Sequence, residues 1–358
     1  MIRLLIVEDS ALMRKLLGQV FRAEGDFEIE FARDGAQALE IIERFRPDVV
    51  TLDIHMPAMD GLTCLDRIML EHPCPVVMVS SLTAEGAEET LTALEIGAVD
   101  FIAKPGGAIS LEIDALAPRL VEKVRTAAKV RIRRSLRLAE RVRLGRRGAS
   151  PPAANPQAKQ PRHARTGGRG LVLIGASTGG PPALDAVLAR LPGNFEWPIL
   201  VAQHMPGSFT GPLARRLDSI CAMKVSEVTE QTRLEPATIY IAKGDADLLV
   251  SSRAGSLVAM PAPSDAAYRW HPSVDRMVQS AMKHVPPGDL IGVLMTGMGN
   301  DGATAMNALR VAGGHTIAEA EETAVVWGMP GELVRLGGAS EVRRIEEIGA
   351  CLTDRVCR

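Results

Sequence analysis

Three residues between positions 177 and 301 have the types and positions that nucleophilic catalysis requires. Ser177 lies in GASTGG, which fits G-x-S-x-G and follows an apolar run; His204 ends PILVAQH, and Asp301 follows LIGVLMT. A serine hydroxyl becomes a strong nucleophile when an imidazole takes its proton and a carboxylate fixes the imidazole tautomer. Because each residue follows an apolar run of strand length, we predict a Ser-His-Asp triad at one edge of a sheet.

The glycines around Ser177 permit a tight strand-to-helix turn whose backbone N–H groups could hold an oxyanion. The alternative is a phosphate-binding loop, but neither G-x-G-x-x-G nor G-x-x-x-x-G-K-[ST] occurs here. Singly, His204 also fits a packed strand-end histidine and Asp301 a helix cap. His271, in YRWHPSVD, is the competing base and ranks second, as a pocket-lining residue.

A second group of residues suits phosphate chemistry. Glu8 and Asp9 follow the first apolar run, Asp53 ends the third, Ser80 ends the fourth and Lys104 follows the fifth. Carboxylates that converge at the edge of a parallel sheet suit Mg2+, and an aspartate beside the ion can accept a phosphoryl group. Singly, the same residues fit a helix cap, a loop acid and a surface lysine, so the prediction depends on all five together.

The elements that position these residues follow from the rhythm of apolar runs. The N-terminal part contains LLIV, FEIEFA, DVVTLD, PVVMVS and VDFIAK, separated by longer amphipathic segments. This alternation predicts an α/β domain with a five-stranded parallel sheet. The C-terminal part repeats the rhythm with LVLIGAS, PILVAQH, LIGVLMTG and HTIAEA, which predicts a second, doubly wound α/β domain. The shorter pieces TIYIAK, LLVS and SLVAM predict an antiparallel excursion.

Length and composition agree with two globular domains. The chain has 358 residues, of which 46% are hydrophobic and 23% charged. Its five cysteines are scattered, which favours neither a disulfide framework nor a zinc site. The apolar runs are far shorter than the ~20 residues of a membrane span, and acidic residues come too early for a signal peptide. We therefore expect a soluble, cytoplasmic protein without stable membrane insertion.

Charge is strongly segregated along the chain. Residues 1–118 carry nine basic and 21 acidic residues, whereas residues 119–169 carry 16 basic and two acidic. The basic segment starts with apolar residues at roughly helical spacing and ends in a Pro- and Gly-rich stretch, which predicts a basic amphipathic helix that frays into a linker. Its charge suits a nucleic acid, an anionic lipid or the acidic first domain. The expected divisions are 1–125, a basic helix extension and flexible linker over 126–169, and 170–358.

The first domain resembles the receiver domain of two-component response regulators. The resemblance rests on VEDS, TLDIHMPAMDG, VVMVSS and FIAKP and covers about residues 1–125. It implies a flavodoxin-like fold, with Asp53 as phospho-acceptor and the metal ligands Glu8, Asp9 and Asp53. It also implies Ser80 and Lys104 as switch residues. His55, beside the acceptor, departs from the residue common in such receivers.

The second domain resembles the catalytic domain of chemotaxis protein-glutamate methylesterases, the CheB family. The resemblance rests on IGASTGGP, VAQHMP, HPSVDRM, LMTGMGNDG and AEAEETAVVWGMP. It implies Ser177 as nucleophile, His204 as base and Asp301 as the residue that orients the base. It further implies Thr178 and Met298 as neighbours that shape the oxyanion hole.

The resemblance also implies substrates and partners. They are γ-glutamyl methyl esters on the cytoplasmic helices of methyl-accepting chemoreceptors, some receptor glutamines for deamidation, and a chemotaxis histidine kinase as phosphodonor. Mg2+ is the cofactor of receiver phosphorylation, and none is expected for the esterase chemistry. Before phosphorylation the receiver is expected to cover the active site. The chain departs from the family pattern at Lys243, in place of a proline, at Asp247, in place of a histidine, and at Gly331, in place of a basic residue.

Two alternatives compete with this interpretation. A DNA-binding response regulator would explain the basic segment, but no recognition helix follows the receiver and aromatic residues are only 3%, so we expect no nucleic-acid partner. A CheB-like scaffold, or an esterase with another substrate outside chemotaxis, is suggested by the departures at groove positions. The intact triad opposes the scaffold.

Overall fold

A computed structural model describes residues 1–81, 83–104, 109–132 and 170–357. The chain divides into two compact units. The N-terminal unit holds strands β1 (Ile2–Val7), β2 (Phe27–Ala32), β3 (Val49–Asp53), β4 (Val76–Ser80) and β5 (Asp100–Ala103). Its helices are α1 (Ala11–Glu24), α2 (Gly35–Phe45), α3 (Gly61–Glu71), α4 (Ala84–Ile96) and α5 (Ile109–Ala127).

The five strands form one parallel sheet in the order β2-β1-β3-β4-β5. This is the flavodoxin-like order, so the predicted fold of the first domain is confirmed. Helices on both faces bury the strands, and β1, β3 and β4 end in buried residues. Since β1 and β3 are neighbours in register, Glu8, Asp9 and Asp53 reach the same edge of the sheet.

Side chains cap the first four helices at their N-termini. A capping side chain satisfies a backbone N–H group that the first helical turn leaves without a partner. The capping residues are Ser10, Asp34, Asp60 and Thr83. Because Ser10 accepts the cap bond of α1, that helix does not need Glu8 or Asp9 as its cap.

The predicted basic helix ends earlier than expected. Helix α5 stops at Ala127, and the chain turns at residues 128 and 129, so the predicted extension is wrong over 128–132. Val130 and Ile132 nevertheless pack against the core of this unit. The spacing of apolar residues therefore predicted that Ile132 contacts the core, but it did not predict where the helix ends. The rest of the predicted helix and linker, residues 133–169, lies outside the described residues.

The C-terminal unit holds strands β6 (Leu171–Ala176), β7 (Ile199–Gln203), β8 (Lys224–Val228), β9 (Thr232–Arg233), β10 (Thr238–Ala242), β11 (Ala246–Arg253), β12 (Ser256–Pro263), β13 (Leu290–Leu294), β14 (His315–Glu319) and β15 (Glu341–Arg343). Its helices are α6 (Gly180–Leu188), α7 (Gly207–Ile220), α8 (Val274–Met282), α9 (Ala303–Val311), α10 (Met329–Arg335) and α11 (Ile345–Val356), with a short 3-10 helix at Pro287–Asp289. None of the helices described in either unit has the length and hydropathy of a membrane span.

Seven strands form a parallel sheet in the order β15-β14-β13-β6-β7-β10-β8, and β11-β12-β9 form a small antiparallel sheet. The predicted doubly wound domain and its antiparallel excursion are therefore confirmed. One assignment was wrong: TIYIAK, which forms β10, pairs in parallel with β7 and β8. Sequence alone missed β8, β9 and β15, because two of them are very short and KVSEV lacks a continuous apolar run.

The two units should unfold separately, and a core mutation can test this. Phe21 is fully buried and packs edge-to-face on Phe27 at 5.0 Å between ring centroids. Phe21→Ala should lower the free energy of unfolding of the first unit by about 3–5 kcal/mol. Urea titration followed by circular dichroism should show the loss.

Tryptophan fluorescence should not report the same shift, because Trp197, Trp270 and Trp327 all lie in the second unit. Leu12→Ala is the control, since Leu12 is 55% exposed and its truncation should change little. A matching shift of the fluorescence transition would contradict independent unfolding.

Candidate active site

Ser177 and His204 lie side by side at the carboxyl edge of the second sheet. Ser177 directly follows β6 and His204 directly follows β7, and these strands pair in parallel with Ala176 opposite Gln203. The His204 backbone N–H donates to the Ala176 carbonyl at 3.0 Å, which continues the ladder. The register of β6 and β7 therefore places Ser177 and His204 at adjacent strand ends, as predicted.

A set of hydrogen bonds fixes the turn that carries Ser177. The Ser177 N–H donates to the Thr296 carbonyl at 2.9 Å, and the Thr296 hydroxyl donates to the Thr178 carbonyl at 2.9 Å. The Gln203 side-chain amide donates to the Ser177 carbonyl at 2.9 Å. A Cβ atom on Gly297 would lie 2.7 Å from the Ser177 Cβ, so this position has no room for a side chain.

The two residues expected to shape an oxyanion hole lie next to this turn. Thr178 follows Ser177 directly, and Met298 follows Gly297; Thr178 is 4% exposed and Met298 8% exposed. Gly179 closes the turn at φ +76°, a conformation that favours glycine, and helix α6 then begins with Pro181 in its first turn. The oxyanion role of Thr178 and Met298 stays a prediction.

His204 is bound by Asp301 from the other side of β6. The His204 Nε2 lies 2.8 Å from the Asp301 Oδ2, and both side chains are buried. Asp301 also accepts hydrogen bonds from the Val274 N–H at 2.7 Å, the Asp275 N–H at 3.1 Å and the Ser273 hydroxyl at 3.0 Å. It thus lies at the N-terminus of helix α8, where a negative charge is stabilised.

This environment selects the tautomer of His204. Burial alone would raise the Asp301 pKa, but the hydrogen bond from His204 and those from the helix N-terminus lower it below its ordinary value. Asp301 is therefore ionised at neutral pH and can only accept, so Nε2 carries the proton of neutral His204. Nδ1 is buried and makes no hydrogen bond to any described residue. In neutral His204 it is therefore the ring nitrogen that can accept a proton.

His271, the competing base, is engaged elsewhere. Its Nδ1 lies 3.0 Å from the Asp247 Oδ1, and Asp247 also accepts the Ser273 N–H at 2.7 Å and a bond from the Arg276 guanidinium. Asp247 is fully buried and organises the loop before α8, so it does not border a groove as its sequence position suggested. His204, rather than His271, is the histidine that Asp301 binds.

The other two departures from the family pattern have different settings. Lys243 is exposed just after β10. Gly331 lies under the Trp327 ring, where a Cβ atom would approach the ring to 2.9 Å. The scaffold hypothesis depended on all three departures from the family pattern. The hydrogen bonds of buried Asp247 and the contact of Gly331 with the Trp327 ring give structural reasons for two of these residues.

Sequence reasoning missed two residues beside the triad. Trp270 stacks on His204, with ring centroids 5.8 Å apart and planes 3° from parallel. Glu319 ends β14 and accepts the Thr296 N–H at 2.8 Å, directly behind the Ser177 turn. An acidic residue at a strand end was a usable signal for Glu319, but a loop aromatic gives no signal of what it will contact.

The acidic group of the first unit converges as predicted. Ligand atoms of Glu8, Asp9 and Asp53 all lie within 4.8 Å of one another. Lys104 Nζ lies 2.8 Å from the Asp53 Oδ2 and 3.0 Å from the Glu8 Oε2. Ser80 lies at the end of β4, which pairs with β3, and its hydroxyl donates to the Gly86 carbonyl at 3.1 Å.

The charges of this group fit a divalent cation. Burial raises the Glu8 pKa, and the charge of Asp53 adds to this, while Lys104 partly offsets both. The Glu8 Oε2 is buried and makes no hydrogen bond to a described residue, although it is ion-paired with Lys104. Three carboxylates facing one ammonium leave excess negative charge, and an all-oxygen donor set suits Mg2+.

Comparison with known proteins finds family matches in both units. The family model for CheB methylesterase matches residues 172–352, and the model for the response regulator receiver domain matches residues 4–113. A protein-glutamate methylesterase/protein-glutamine glutaminase of Rhodopseudomonas palustris is 57% identical over 99% of this chain and 98% of its own length. The chain belongs to the CheB methylesterase family.

Other CheB-family proteins agree with this assignment. A protein-glutamate methylesterase/protein-glutamine glutaminase of Vibrio cholerae is 44% identical over 93% of this chain and 90% of its own length. The crystal structure of the Thermotoga maritima CheB methylesterase catalytic domain has a TM-score of 0.51 and 38% identity. It covers 52% of this chain and 98% of the Thermotoga chain, so the likeness is to the second unit.

Glu319 should make the second unit less stable as pH rises. Burial raises the Glu319 pKa to about 7, from 4.5, so the folded state keeps a proton that the unfolded state has lost between these values. The free energy of unfolding should therefore fall as pH rises from about 4.5 to 7. Glu319→Gln keeps an acceptor for Thr296 and cannot ionise.

Between pH 5 and pH 8, the free energy of unfolding of wild type should fall by about 2 kcal/mol more than that of Glu319→Gln. Urea unfolding followed by tryptophan fluorescence measures both values. Glu321→Gln, at an exposed position two residues away, is the matched control and should behave as wild type. Equal pH dependence in wild type and Glu319→Gln would contradict the assignment.

Proposed function

We propose that this CheB-family protein is a phosphorylation-activated serine esterase. It hydrolyses glutamate γ-methyl esters on chemoreceptors, releases methanol, and deamidates receptor glutamines by the same acyl chemistry. One observation carries the proposal: the His204 Nε2 is bound by Asp301 while its Nδ1 remains without a partner among the described residues, and the His204 backbone N–H is bonded to Ala176, the residue before Ser177. The names of the relatives add the substrate class.

The reaction begins with transfer of the Ser177 hydroxyl proton to the His204 Nδ1. The Ser177 oxygen attacks the ester carbonyl carbon, and backbone N–H groups near Thr178 and Met298 stabilise the resulting oxyanion. The imidazolium, stabilised by Asp301, gives its proton to the methoxy oxygen, so the C–O bond breaks and methanol leaves. The acyl group stays on Ser177.

Water completes the cycle. His204 takes a proton from the water, the hydroxide attacks the acyl carbonyl, and the proton passes to the Ser177 oxygen as the bond to the enzyme breaks. The receptor side chain is released as a free carboxylate. With a glutamine substrate the same steps expel ammonia instead of methanol.

The receiver supplies the control. A chemotaxis histidine kinase transfers a phosphoryl group to Asp53, and Glu8, Asp9 and Asp53 would hold Mg2+ during the transfer. Bound there, Mg2+ would neutralise charge on the phosphoryl oxygens. Lys104 and Ser80 then bind those oxygens, as their positions at neighbouring strand ends allow.

The substrate class also suggests where in the cell the protein works. Because methyl-accepting helices of chemoreceptors are cytoplasmic, the proposed location is the cytoplasm. The proposed divisions are a receiver over 1–125, a basic helix extension and flexible linker over 126–169 and a methylesterase over 170–358. Val130 and Ile132, at the start of the second division, pack against the receiver core.

Methanol release from methyl-labelled chemoreceptor membranes tests the proposal. Wild type, Ser177→Ala and Asp53→Asn are compared, each with and without Mg2+ and a small-molecule phosphodonor. Wild-type release should increase with phosphodonor and Mg2+ together. Ser177→Ala should lose release by several orders of magnitude, because the nucleophile is gone.

Asp53→Asn should keep basal release and lose the increase, which separates the control site from the chemistry. Absence of release from wild type carrying phosphorylated Asp53 would contradict the proposed substrate. Release that survives Ser177→Ala would contradict the proposed nucleophile.

A further inference from the structure

The ring of Trp270 lies parallel to the imidazole of His204. The two ring centroids are 5.8 Å apart and the planes differ by 3°. Trp270 is partly exposed, whereas the His204 side chain is only 8% exposed. The indole therefore stacks on the proposed base in an offset arrangement, while Asp301 binds the base at Nε2.

Neighbouring residues hold the indole in this orientation. A Cβ atom on Gly299 would lie 2.5 Å from the indole Cζ2, so the ring rests directly on the Gly299 backbone. The next residue, His271, is bound to the buried Asp247. Trp270 is thus fixed between a backbone contact and an anchored loop, as a group that positions another must be.

Proton transfer to His204 changes how strongly the Trp270 indole interacts with the imidazole ring. The Asp301 carboxylate and the indole face both meet a neutral ring before the reaction and an imidazolium once Ser177 is deprotonated. The face of an indole attracts a cation within ~6 Å, by about 0.5–2 kcal/mol, and tryptophan does so better than other aromatic residues. An interaction that forms only with the charged ring stabilises the transition state and not the ground state.

We propose that Trp270 is a positioning residue whose indole face stabilises the imidazolium form of His204 during catalysis. The proposal rests on the proposed esterase function, because it requires His204 to be the base. It goes beyond that function by adding a group that acts through the base and needs no contact with the substrate.

Charged groups adjoin the stacked pair on two sides. Asp301 binds the His204 Nε2, and the Arg269 guanidinium carbon lies 5.1 Å from the centroid of the Trp270 ring. Asp301 is common to all the variants below. Arg269 contacts the same indole, so it is kept unchanged throughout and the comparison varies only the ring.

The test replaces Trp270 by tryptophan analogues that carry one to four ring fluorines. Fluorination withdraws charge from the ring face with little change of shape, so it weakens attraction to a cation without removing packing. In the full-length protein, the kcat of methanol release from methylated receptor membranes should fall stepwise with each fluorine. Trp270→Leu should lower kcat by about 2- to 30-fold with KM unchanged, and Trp270→Phe should lie between.

Trp197 provides the matched control. It precedes β7, whereas His204 follows the same strand at the opposite edge of the sheet, and the Trp197 ring packs on Gly170. The same analogues at position 197 should leave kcat unchanged. Ser177→Ala is measured alongside, so that only release dependent on Ser177 is counted.

The outcomes separate the inference from the proposed function. Equal kcat across the fluorine series, with a lower kcat in Trp270→Leu, would assign Trp270 to packing alone and overturn the inference. A rise in KM with kcat unchanged would make Trp270 a substrate contact and also overturn it. Wild type without Ser177-dependent release would instead contradict the proposed function itself.

Discussion

The hydrogen bond between His204 and Asp301 is the interaction on which the catalytic unit depends. It joins residues that follow two different strands, β7 and β13, across the strand that carries Ser177. Asp301 is also bound by the N-terminus of α8 and by the Ser273 hydroxyl, so the carboxylate stays ionised although it is buried. This charge fixes the proton on Nε2 and leaves Nδ1 without a proton in the neutral ring. The loop before α8, the helix itself and the sheet order all serve that arrangement.

The buried carboxylates of the two units differ in how their charge is balanced. Asp301 has backbone N–H groups and an imidazole, and its pKa is lowered. Glu8 shares a single ammonium, Lys104, with Asp53, and its pKa is raised chiefly by burial. Glu319 has hydrogen-bond donors but no ion pair with a cation of the described residues, and burial raises its pKa to about 7. The environment of Asp301 suits a permanent anion, and that of Glu8 suits a site that binds a cation. The environment of Glu319 suits a carboxyl group that gains or loses its proton near neutral pH.

Much of the site is predictable because functional residues of parallel sheets follow strand ends. That rule, applied to the apolar runs of the sequence, predicts Ser177, His204 and Asp301 at one edge of a sheet. It does not say which imidazole nitrogen meets Asp301, since this depends on how the His204 ring is oriented in the folded protein, which local sequence does not encode. It also does not predict the stacking of Trp270, because a loop aromatic has no periodic pattern. The parallel strand β10 was misassigned for the same reason, as pairing partners are distant in sequence.

The central claim is that Asp301 holds the proton of neutral His204 on Nε2. Nitrogen-15 NMR of the histidine rings measures this directly, with a His204→Asn variant to assign the resonances. At a pH where the ring is neutral, the account predicts a protonated Nε2 and an unprotonated Nδ1 in His204, and loss of that preference in Asp301→Ala. A proton on Nδ1 in the neutral ring of the wild-type protein would contradict the account, because the unprotonated nitrogen would then be the one bound by Asp301.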